Sequence, residues 1–366
     1  MTERIVRWGI LGAANIAKKN WEAIRQTGNG TLTAVASRQV EKAADFIREC
    51  QSTVPFPQPP RACTYDDLLS ATDIDAVYIP LPTGVRKQFV LRAAQAGKHV
   101  LCEKPCAPNA ADVKEMTEAC QKNKVQFMDG VMFMHSARLP KMREALDDVT
   151  SDGGASVGTI KRIASQFSFF GGDDFHRDNI RVSRALEPLG ALGDLGWYNI
   201  RFTLWAMKYQ LPQRVCGRML TSTSEGVPLE FSGELFFPGG ASASFYCSFQ
   251  TENQQWGNIS GDKGFLSLRD FVVPFYGAES AFEVTRTIFE PSGCQYNMTE
   301  HTRRIAVREY SNNAPSAQET QLFRNFGKLV LGGKLDPHWP EIALKTQQVV
   351  DACMRSANDG GKLIDL

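Results

Sequence analysis

Short apolar runs alternate with amphipathic segments over the first third of the chain. The runs have the length of strands, and the segments between them repeat apolar residues every three to four positions, as a helix does. Because the runs are almost continuously apolar, they predict a parallel sheet that is covered by helices on both faces. The predicted strands are RIVRWGILG, TLTAVAS, DAVYIPLP, KHVLCEKP and VQFMDG.

Two of the predicted helices carry a clear start signal. Thr64 precedes YDDLLS, and Asn109 precedes AADVKEMTEACQKN. Threonine and asparagine side chains accept hydrogen bonds from the first N–H groups of a helix. Both residues are therefore predicted to be N-caps.

The pattern changes after about residue 130. GTIKRIASQFSFF alternates apolar and polar residues as a half-buried strand does, and DLGWYNIRFTLWAMK is typical of a helix. Strand-like segments follow, separated by turns such as PGG and GDKG. Consecutive strands joined by short turns predict a mainly antiparallel sheet.

The chain is thus predicted to have two domains, an α/β domain at 1–130 and an α+β domain at 131–366. Two helices near 317–331 and 340–357 close the chain, and the second is able to pack back on the first domain. The least ordered segments are expected at 51–61 and around 288–316, where turn-forming residues are frequent.

Composition excludes several classes of function. The 366 residues carry a net charge of +1 without a long run of either sign, so no nucleic-acid or membrane footprint is indicated. No apolar stretch approaches the roughly 20 residues of a bilayer span, and no signal-peptide pattern opens the chain, so a cytoplasmic location is expected.

The cysteines do not predict a disulfide framework or a metal site. Their number, nine, is odd, and their spacing is not paired, which favours free thiols. Cys102 and Cys106 are four residues apart, but no second cysteine or histidine pair lies nearby to complete a zinc site. Their role stays open.

GILGAANIA occupies the place where a dinucleotide-binding domain has its G-x-G-x-x-G turn. Gly12 permits the tight turn, and Ala14 replaces the glycine that lets the backbone approach a pyrophosphate. Amide groups at the start of the next helix, which contains Asn15 and Ile16, would receive the phosphates. An ordinary strand-to-helix turn is the alternative, but the position at the first strand–helix junction favours a cofactor site.

The next two strand ends suggest further cofactor contacts. Ser37 and Arg38 replace the usual acidic residue after the second strand. Both side chains can bind a 2′-phosphate, which favours NADP(H), with NAD(H) possible, unless Arg38 only faces solvent. At the end of the strand DAVYIPLP, candidates to pack against the nicotinamide are Pro80, Leu81, Pro82 and Thr83.

Lys104 is the first candidate for acid–base chemistry. It lies at the end of the strand KHVLCEKP, at the sheet edge where ligands bind, and its ammonium group can polarise a carbonyl oxygen. Glu103 is predicted to bind the cofactor amide or to pair with a neighbouring cation. The alternative is a surface Glu–Lys pair on a loop.

Asp194 and Tyr198 are the second candidates. They are four residues apart, so both lie on one face if a helix begins near Asp194. With Lys104 they would supply a proton donor, a positioning group and a charge that stabilises an alkoxide. Equally, Asp194 could be an N-cap and Tyr198 a core aromatic.

Nearly the whole chain resembles the Gfo/Idh/MocA oxidoreductases. The resemblance rests on RWGILGAANIA, AVASR, DAVYIPLPT, AGKHVLCEKP, NIR before GALGDLGWY, and SGDKGFLSL. It implies a Rossmann domain followed by a substrate domain on an open, mainly antiparallel sheet. That sheet often forms an oligomer interface in the family, which implies a homodimer or homotetramer.

The resemblance also implies roles for single residues. Lys104 matches the family's catalytic lysine, Asp194 its aspartate, and Pro105 a proline whose preceding peptide bond is commonly cis. Tyr198 sits where many members have histidine, as in the branch with glucose-fructose oxidoreductase, NADP-dependent xylose dehydrogenases and dimeric dihydrodiol dehydrogenase. Members of that branch use the tyrosine as acid. Their preference for NADP agrees with the sequence ASR, which contains Ser37 and Arg38. Arg86 is a departure, since the family often has histidine there.

Together these observations predict an NADP-dependent oxidoreductase acting on a sugar, polyol or related cyclic alcohol. Substrate contacts are expected from Phe133, His135, Arg138 and Arg181, besides Tyr198. A non-catalytic, cofactor-sensing protein on the same fold is one alternative. An enzyme that recycles a tightly held cofactor is another.

Overall fold

The computed structural model describes residues 4–148 and 156–366, which form two compact units. Of these residues, the first unit takes those up to His135, Ser183–Pro188 and Tyr310–Gln348, and the second takes the remainder. A compact unit is defined by its packing, whereas a domain must also be able to fold alone. The domain boundary near residue 130 therefore stays a prediction.

Strands and helices alternate in the first unit, and strands dominate the second. The strands are β1 (Val6–Leu11), β2 (Gly30–Ala36), β3 (Arg61–Cys63), β4 (Ala76–Ile79), β5 (His99–Cys102), β6 (Phe127–Asp129), β7 (Ile160–Phe170), β8 (Arg214–Ser222), β9 (Pro228–Phe236), β10 (Ser242–Ser248), β11 (Gln250–Gly261), β12 (Phe265–Leu268), β13 (Glu279–Ser292), β14 (Gln295–Arg308) and β15 (Ile364–Asp365). The α-helices are α1 (Asn15–Gln26), α2 (Val40–Thr53), α3 (Tyr65–Ser70), α4 (Thr83–Gln95), α5 (Ala110–Lys122), α6 (Arg138–Asp147), α7 (Gly172–Asp178), α8 (Trp197–Ala206), α9 (Gln318–Gly332) and α10 (His338–Asn358).

The first unit is built on a six-stranded parallel sheet in the order β3-β2-β1-β4-β5-β6. The order reverses between β1 and β4, and open α/β sheets bind ligands outside the carboxyl ends of the strands at such a reversal. The predicted parallel α/β fold is confirmed. A ligand site is therefore expected at the loops after β1, β2, β4 and β5.

Side-chain caps fix the start of two helices, as predicted. The hydroxyl of Thr64 accepts a hydrogen bond from the backbone N–H of Asp67, whose carboxylate accepts one from the N–H of Thr64. Asn109 accepts from the N–H of Asp112 at 2.9 Å. Each cap satisfies N–H groups that lack partners within the helix.

Helix α9 covers part of the parallel sheet, although it lies 190 residues beyond the last strand. Trp8 of β1 packs against Phe323 and Phe326 at ring distances of 5.2 and 5.3 Å, and Tyr78 of β4 lies 5.5 Å from Phe323. Arg324 donates to the carbonyl of Thr27 at 2.7 Å. The carboxyl-terminal part of the chain thus completes the core of the first unit.

The second unit is built on a nine-stranded sheet in the order β14-β13-β12-β11-β7-β10-β9-β8-β15. Its pairs are antiparallel except β7 with β10, so the predicted mainly antiparallel sheet is confirmed. Burial alternates along β9 and β10, as expected of strands that cover a core with one face.

The prediction of a poorly ordered segment around 288–316 is wrong for most of its length. Strands β13 and β14 form a long hairpin in which Glu279 pairs with Arg308 and Ser292 with Gln295. Its outer residues are exposed on both faces, so the sequence there lacks the apolar alternation that marks a half-buried strand.

Neither a membrane span nor a metal cluster is found among the described residues. None of their helices combines the length and hydropathy that a bilayer span requires. They also contain no group of three histidine, cysteine or acidic side chains placed to hold a metal ion.

Candidate active site

The turn after β1 favours glycine. Gly12 has a φ of 130°, and a Cβ added there would lie 2.8 Å from Cδ2 of Leu81. Its N–H donates to the carbonyl of Ala36 at 3.0 Å, which ties the turn to the end of β2. A side chain would be strained at this φ and would also have to displace the tip of the Leu81 side chain, so glycine is favoured at this turn.

Helix α1 begins at this turn without a side-chain cap. Ala14 is the N-cap residue, and the first turn contains no acidic side chain. Asn15 and Ile16 are exposed there. A helix start that lacks a carboxylate and a cap suits an anion, because its N–H groups and the helix dipole favour negative charge. The turn and the helix start therefore fit the pyrophosphate of a dinucleotide.

Ser37 and Arg38 lie at the same edge, immediately after β2. Ser37 is buried, and its backbone N–H donates to the carbonyl of Cys63 at 3.2 Å, whereas Arg38 is exposed. The structure thus places a cation where a Rossmann domain receives the adenosine ribose. Whether Arg38 contacts the cofactor stays a prediction.

The loop after β4 is held by an acidic residue that the sequence did not single out. The backbone N–H of Thr83 donates to one carboxylate oxygen of Glu187 at 3.0 Å, and the Thr83 hydroxyl donates to the other at 2.5 Å. Thr83 is 1% exposed, and Leu81 and Pro80 are also buried. Pro82 is half-buried. Glu187 belongs to no periodic pattern, so only the fold reveals it.

Lys104 lies two residues beyond β5, on the same sheet edge as Gly12. It is half-buried, and the peptide bond between Lys104 and Pro105 is cis, as the resemblance implies. The neighbouring carboxylate of Glu103 accepts the backbone N–H of Lys104 at 3.1 Å. The backbone from which the Lys104 side chain projects is therefore held by the side chain of Glu103.

Glu103 belongs to a buried hydrogen-bond chain that reaches the first helix. The hydroxyl of Tyr78 donates to Glu103 at 2.6 Å and accepts from the amide of Asn20 at 2.6 Å. Burial, followed by the charge of Glu103, raises the pKa of Tyr78 well above its ordinary value, so the phenol keeps its proton. Sequence reasoning missed Tyr78, although a hydroxyl in an otherwise apolar strand signals a buried partner.

Asp194 and Tyr198 come from one helical segment of the second unit. A π-helical turn, Leu192–Gly196, runs directly into α8, so Asp194 lies within the helix and is not its N-cap. Its carboxylate lies 2.7 Å from Nε of Arg181. Tyr198 is 5% exposed and meets the ring of Phe167 edge-on at 5.6 Å. The segment thus brings a cation, a carboxylate and a phenol onto neighbouring positions.

The three candidate substrate residues after β6 are all buried. Phe133 and His135 lie on a 3₁₀ turn of the first unit, where His135 stacks on Trp339 at 4.7 Å. Arg138 was expected to face the substrate, but it is 2% exposed and binds Asp270 at 2.5 Å. Asp270 thus balances the charge of this buried guanidinium, and a contact of Arg138 with substrate stays a prediction.

The site residues therefore fall into two groups. Within the first unit, the loops after β1, β2, β4 and β5 bring Gly12, Arg38, Thr83 and Lys104 to one edge of the sheet. Within the second unit, the helical segment carries Asp194 and Tyr198. The first arrangement defines a dinucleotide-binding oxidoreductase domain as a class.

Comparison with known proteins identifies the family. The chain matches the oxidoreductase family GFO/IDH/MocA, with its NAD-binding Rossmann fold, over residues 6–131, and the GFO/IDH/MocA C-terminal domain over residues 152–267. The chain belongs to the Gfo/Idh/MocA oxidoreductase family, so the resemblance inferred from the sequence is confirmed. It is accordingly an NAD(P)-dependent oxidoreductase.

Several relatives cover most of the chain. D-xylose 1-dehydrogenase (NADP(+)) 2 of Haloferax volcanii is 31% identical over 96% of this chain and 98% of its own. A dTDP-3,4-didehydro-2,6-dideoxy-α-D-glucose 3-reductase of Streptomyces violaceoruber is 30% identical over 78% and 79%. A crystal structure of a 3-ketoreductase from Actinomadura kijaniata in complex with NADP and TDP-benzene shares the fold, with a TM-score of 0.80, 22% identity, and coverage of 96% and 98%.

Proposed function

We propose that the protein transfers a hydride between NADP(H) and a hydroxyl-bearing or carbonyl carbon of a sugar, polyol or related cyclic compound. The observation that carries the proposal is the position of Lys104, at the carboxyl end of β5 and on the same sheet edge as the Gly12 turn. A lysine there meets the reacting end of a dinucleotide whose phosphates rest on the start of α1.

The cofactor, when bound, supplies the hydride acceptor or donor at nicotinamide C4. Gly12, Ala14, Asn15 and Ile16 would hold its pyrophosphate, and Ser37 and Arg38 its adenosine 2′-phosphate. The nicotinamide end would rest on the loop after β4 and on Glu103. NADP appears in the names of the xylose dehydrogenase and of the ketoreductase complex, which supports this choice.

Lys104 and Tyr198 are proposed to handle the proton. In the reducing direction, the phenol of Tyr198 donates its proton to the substrate oxygen, while the ammonium group of Lys104 stabilises the negative charge that develops there. In the oxidising direction, Tyr198 takes the hydroxyl proton back. Asp194, held by Arg181, positions the reacting hydroxyl group.

The substrate class is proposed from the relatives and from the second group of residues. The names of the relatives specify xylose, a dTDP-linked deoxyhexose and a dihydrodiol, all of which carry hydroxyl or keto groups on a carbon framework. Arg181 and His135 offer N–H donors to hydroxyl groups, and Phe133 offers an apolar face.

The roles are tested with Lys104→Met and Tyr198→Phe. Each is expected to lower kcat by about 10²–10⁴-fold, the usual contribution of a positioned acid or base, while the Kd for NADPH changes little. Turnover is followed by NADPH absorbance on a panel of aldoses, polyols and ketosugars. Lys114→Met and Tyr296→Phe, at exposed positions, are the matched controls.

Two results would contradict the proposal. Normal turnover in both variants would remove Lys104 and Tyr198 from the chemistry. Tight NADPH binding by the unaltered protein without turnover on any member of the panel would favour the cofactor-sensing alternative.

A further inference from the structure

Arg86 is a buried arginine that binds the backbone on both sides of Lys104. It lies on the first turn of α4 and is 3% exposed. Its Nη1 donates to the carbonyl of Glu103 at 2.8 Å and also to the carbonyl of Pro105. Lys104 is the one residue between these two carbonyls. The guanidinium therefore binds the backbone immediately before and immediately after Lys104.

The same guanidinium also binds the loop after β4. Nε donates to the carbonyl of Leu81 at 2.9 Å, and Nη2 donates to the same oxygen. The loop that is proposed to face the nicotinamide and the turn that carries Lys104 are therefore joined through one side chain. Nη1 also lies 3.5 Å from the hydroxyl oxygen of Thr83, the first residue of α4.

These contacts require an arginine. Carbonyl groups beyond the ends of parallel strands have no ladder partner, and leaving several of them buried without a donor is costly. A guanidinium offers five N–H donors in a rigid fork, whereas a lysine offers three from one point and an imidazole two at most. The histidine that the family often has at this position could not serve all three carbonyls.

We propose that Arg86 is a positioning residue that fixes the backbone at Lys104 and sets its distance from the nicotinamide loop. The proposal rests on the proposed role of Lys104 in proton handling. In this role, Arg86 itself contacts neither substrate nor cofactor. Its effect on the reaction passes through the placement of Lys104 relative to the loop after β4.

The first test measures the exchange of backbone amide hydrogens around Lys104, without substrate or cofactor. In hydrogen–deuterium exchange read by mass spectrometry, Arg86→Gln is expected to speed exchange about tenfold or more in the peptide that contains Glu103, Lys104 and Cys106. Arg92→Gln, an exposed arginine on the same helix, is the matched control and should leave this peptide unchanged. Unchanged exchange in Arg86→Gln would overturn the proposal.

The second test is a double-mutant cycle with Lys104→Met. Arg86→Gln alone is expected to lower kcat about 10–100-fold, since a misplacement of about 1 Å can cost 10²-fold, with the Kd for NADPH within about threefold of the unaltered protein. In the Lys104→Met background, Arg86→Gln should change the residual rate less than threefold. Arg86→Lys should recover part of the loss, because it restores the charge and some donors.

The outcomes separate this proposal from the proposed function. Equal losses from Arg86→Gln in both backgrounds would show that Arg86 acts independently of Lys104, and would overturn the proposal while leaving the role of Lys104 intact. A fully active Lys104→Met would instead overturn the role of Lys104, and the positioning role with it. If Arg86→Gln does not fold, Arg86→Lys takes its place in the exchange experiment and in the cycle.

Discussion

At the scale of single residues, we expect cofactor choice to depend on one exposed cation, Arg38. Arg38 follows β2, where Rossmann domains that use NAD commonly have a carboxylate, and the sequence places Ser37 beside it. A guanidinium binds a phosphate through paired, charge-assisted hydrogen bonds, whereas a carboxylate would repel it. The preference for NADP(H) is therefore expected to reside mainly in Arg38.

Arg38→Ala is predicted to raise the Kd for NADPH by about 10–100-fold, the size expected when a hydrogen bond to a charged group is lost. The Kd for NADH should change less than about threefold, since NADH lacks the 2′-phosphate. Both constants can be measured from the fluorescence of the reduced nicotinamide. Arg48→Ala, on the exposed face of α2, is the control. Tighter binding of NADH than of NADPH by the unaltered protein would contradict the prediction.

The site residues that could be predicted are those whose role is local in sequence. Gly12 is set by a turn between one strand and the next helix, and Lys104 is set by the end of its own strand. The partners of Glu103 could not be predicted, because Tyr78 and Arg86 reach it only through the register of β4 beside β5. Sequence spacing does not contain that register.

At the scale of elements, helix α4 depends on a residue about a hundred positions further along the chain. Glu187 accepts both the N–H and the hydroxyl of Thr83, the first residue of α4, and the N–H of Gly84 donates to the carbonyl of Leu186. A Cβ on Gly84 would lie 2.2 Å from the carbonyl oxygen of Ala185. Residues 186 and 187 therefore supply the hydrogen-bond acceptors that a local N-cap residue supplies in most helices.

Glu187→Ala is predicted to lower stability by about 1–2 kcal/mol, because it removes a cap and a negative charge from the start of a helix. For a chain of this size, we expect the Tm to fall by about 1–3 °C, because a large chain has a large entropy of unfolding. Glu187→Gln keeps one acceptor and should lose less. Differential scanning fluorimetry measures the effect, with Glu290→Ala on exposed β13 as control. Equal Tm values for the unaltered protein and Glu187→Ala would refute the capping role.

Elements were predictable where one face is buried. Five strands of the parallel sheet and the half-buried β7 follow from apolar runs and alternation, whereas β3, with three residues and one of them buried, was not predicted. The hairpin of β13 and β14 was missed because its outer part buries neither face, and its strands are held by backbone pairing that any polar sequence can make. Hydrophobic patterning reports burial, and it fails where pairing occurs without burial.

At the scale of the whole molecule, both units contain buried thiols that resist ionisation. Burial raises the pKa of Cys120 to about 12 and that of Cys50 to about 11, from an ordinary value of 9.0. It also raises the pKa of Cys106, Cys247 and Cys353. An unfolded chain releases these protons near pH 9, whereas the folded chain keeps them, so folding becomes less favourable as the pH rises above that value.

The Tm is therefore predicted to be nearly level between about pH 7 and 8.5 and to fall steadily between about pH 9 and 11. The stabilisation from each thiol is complete below the pKa of the unfolded chain and is lost as the pH rises toward the pKa of the folded one. Cys120→Ala should flatten the decline, because it removes a thiol with a large shift, whereas Cys294→Ala should not, because Cys294 is exposed. Thermal unfolding in a reducing buffer at half-unit pH steps measures both slopes. Identical slopes for Cys120→Ala and Cys294→Ala would show that buried thiols do not govern the alkaline limit of this fold.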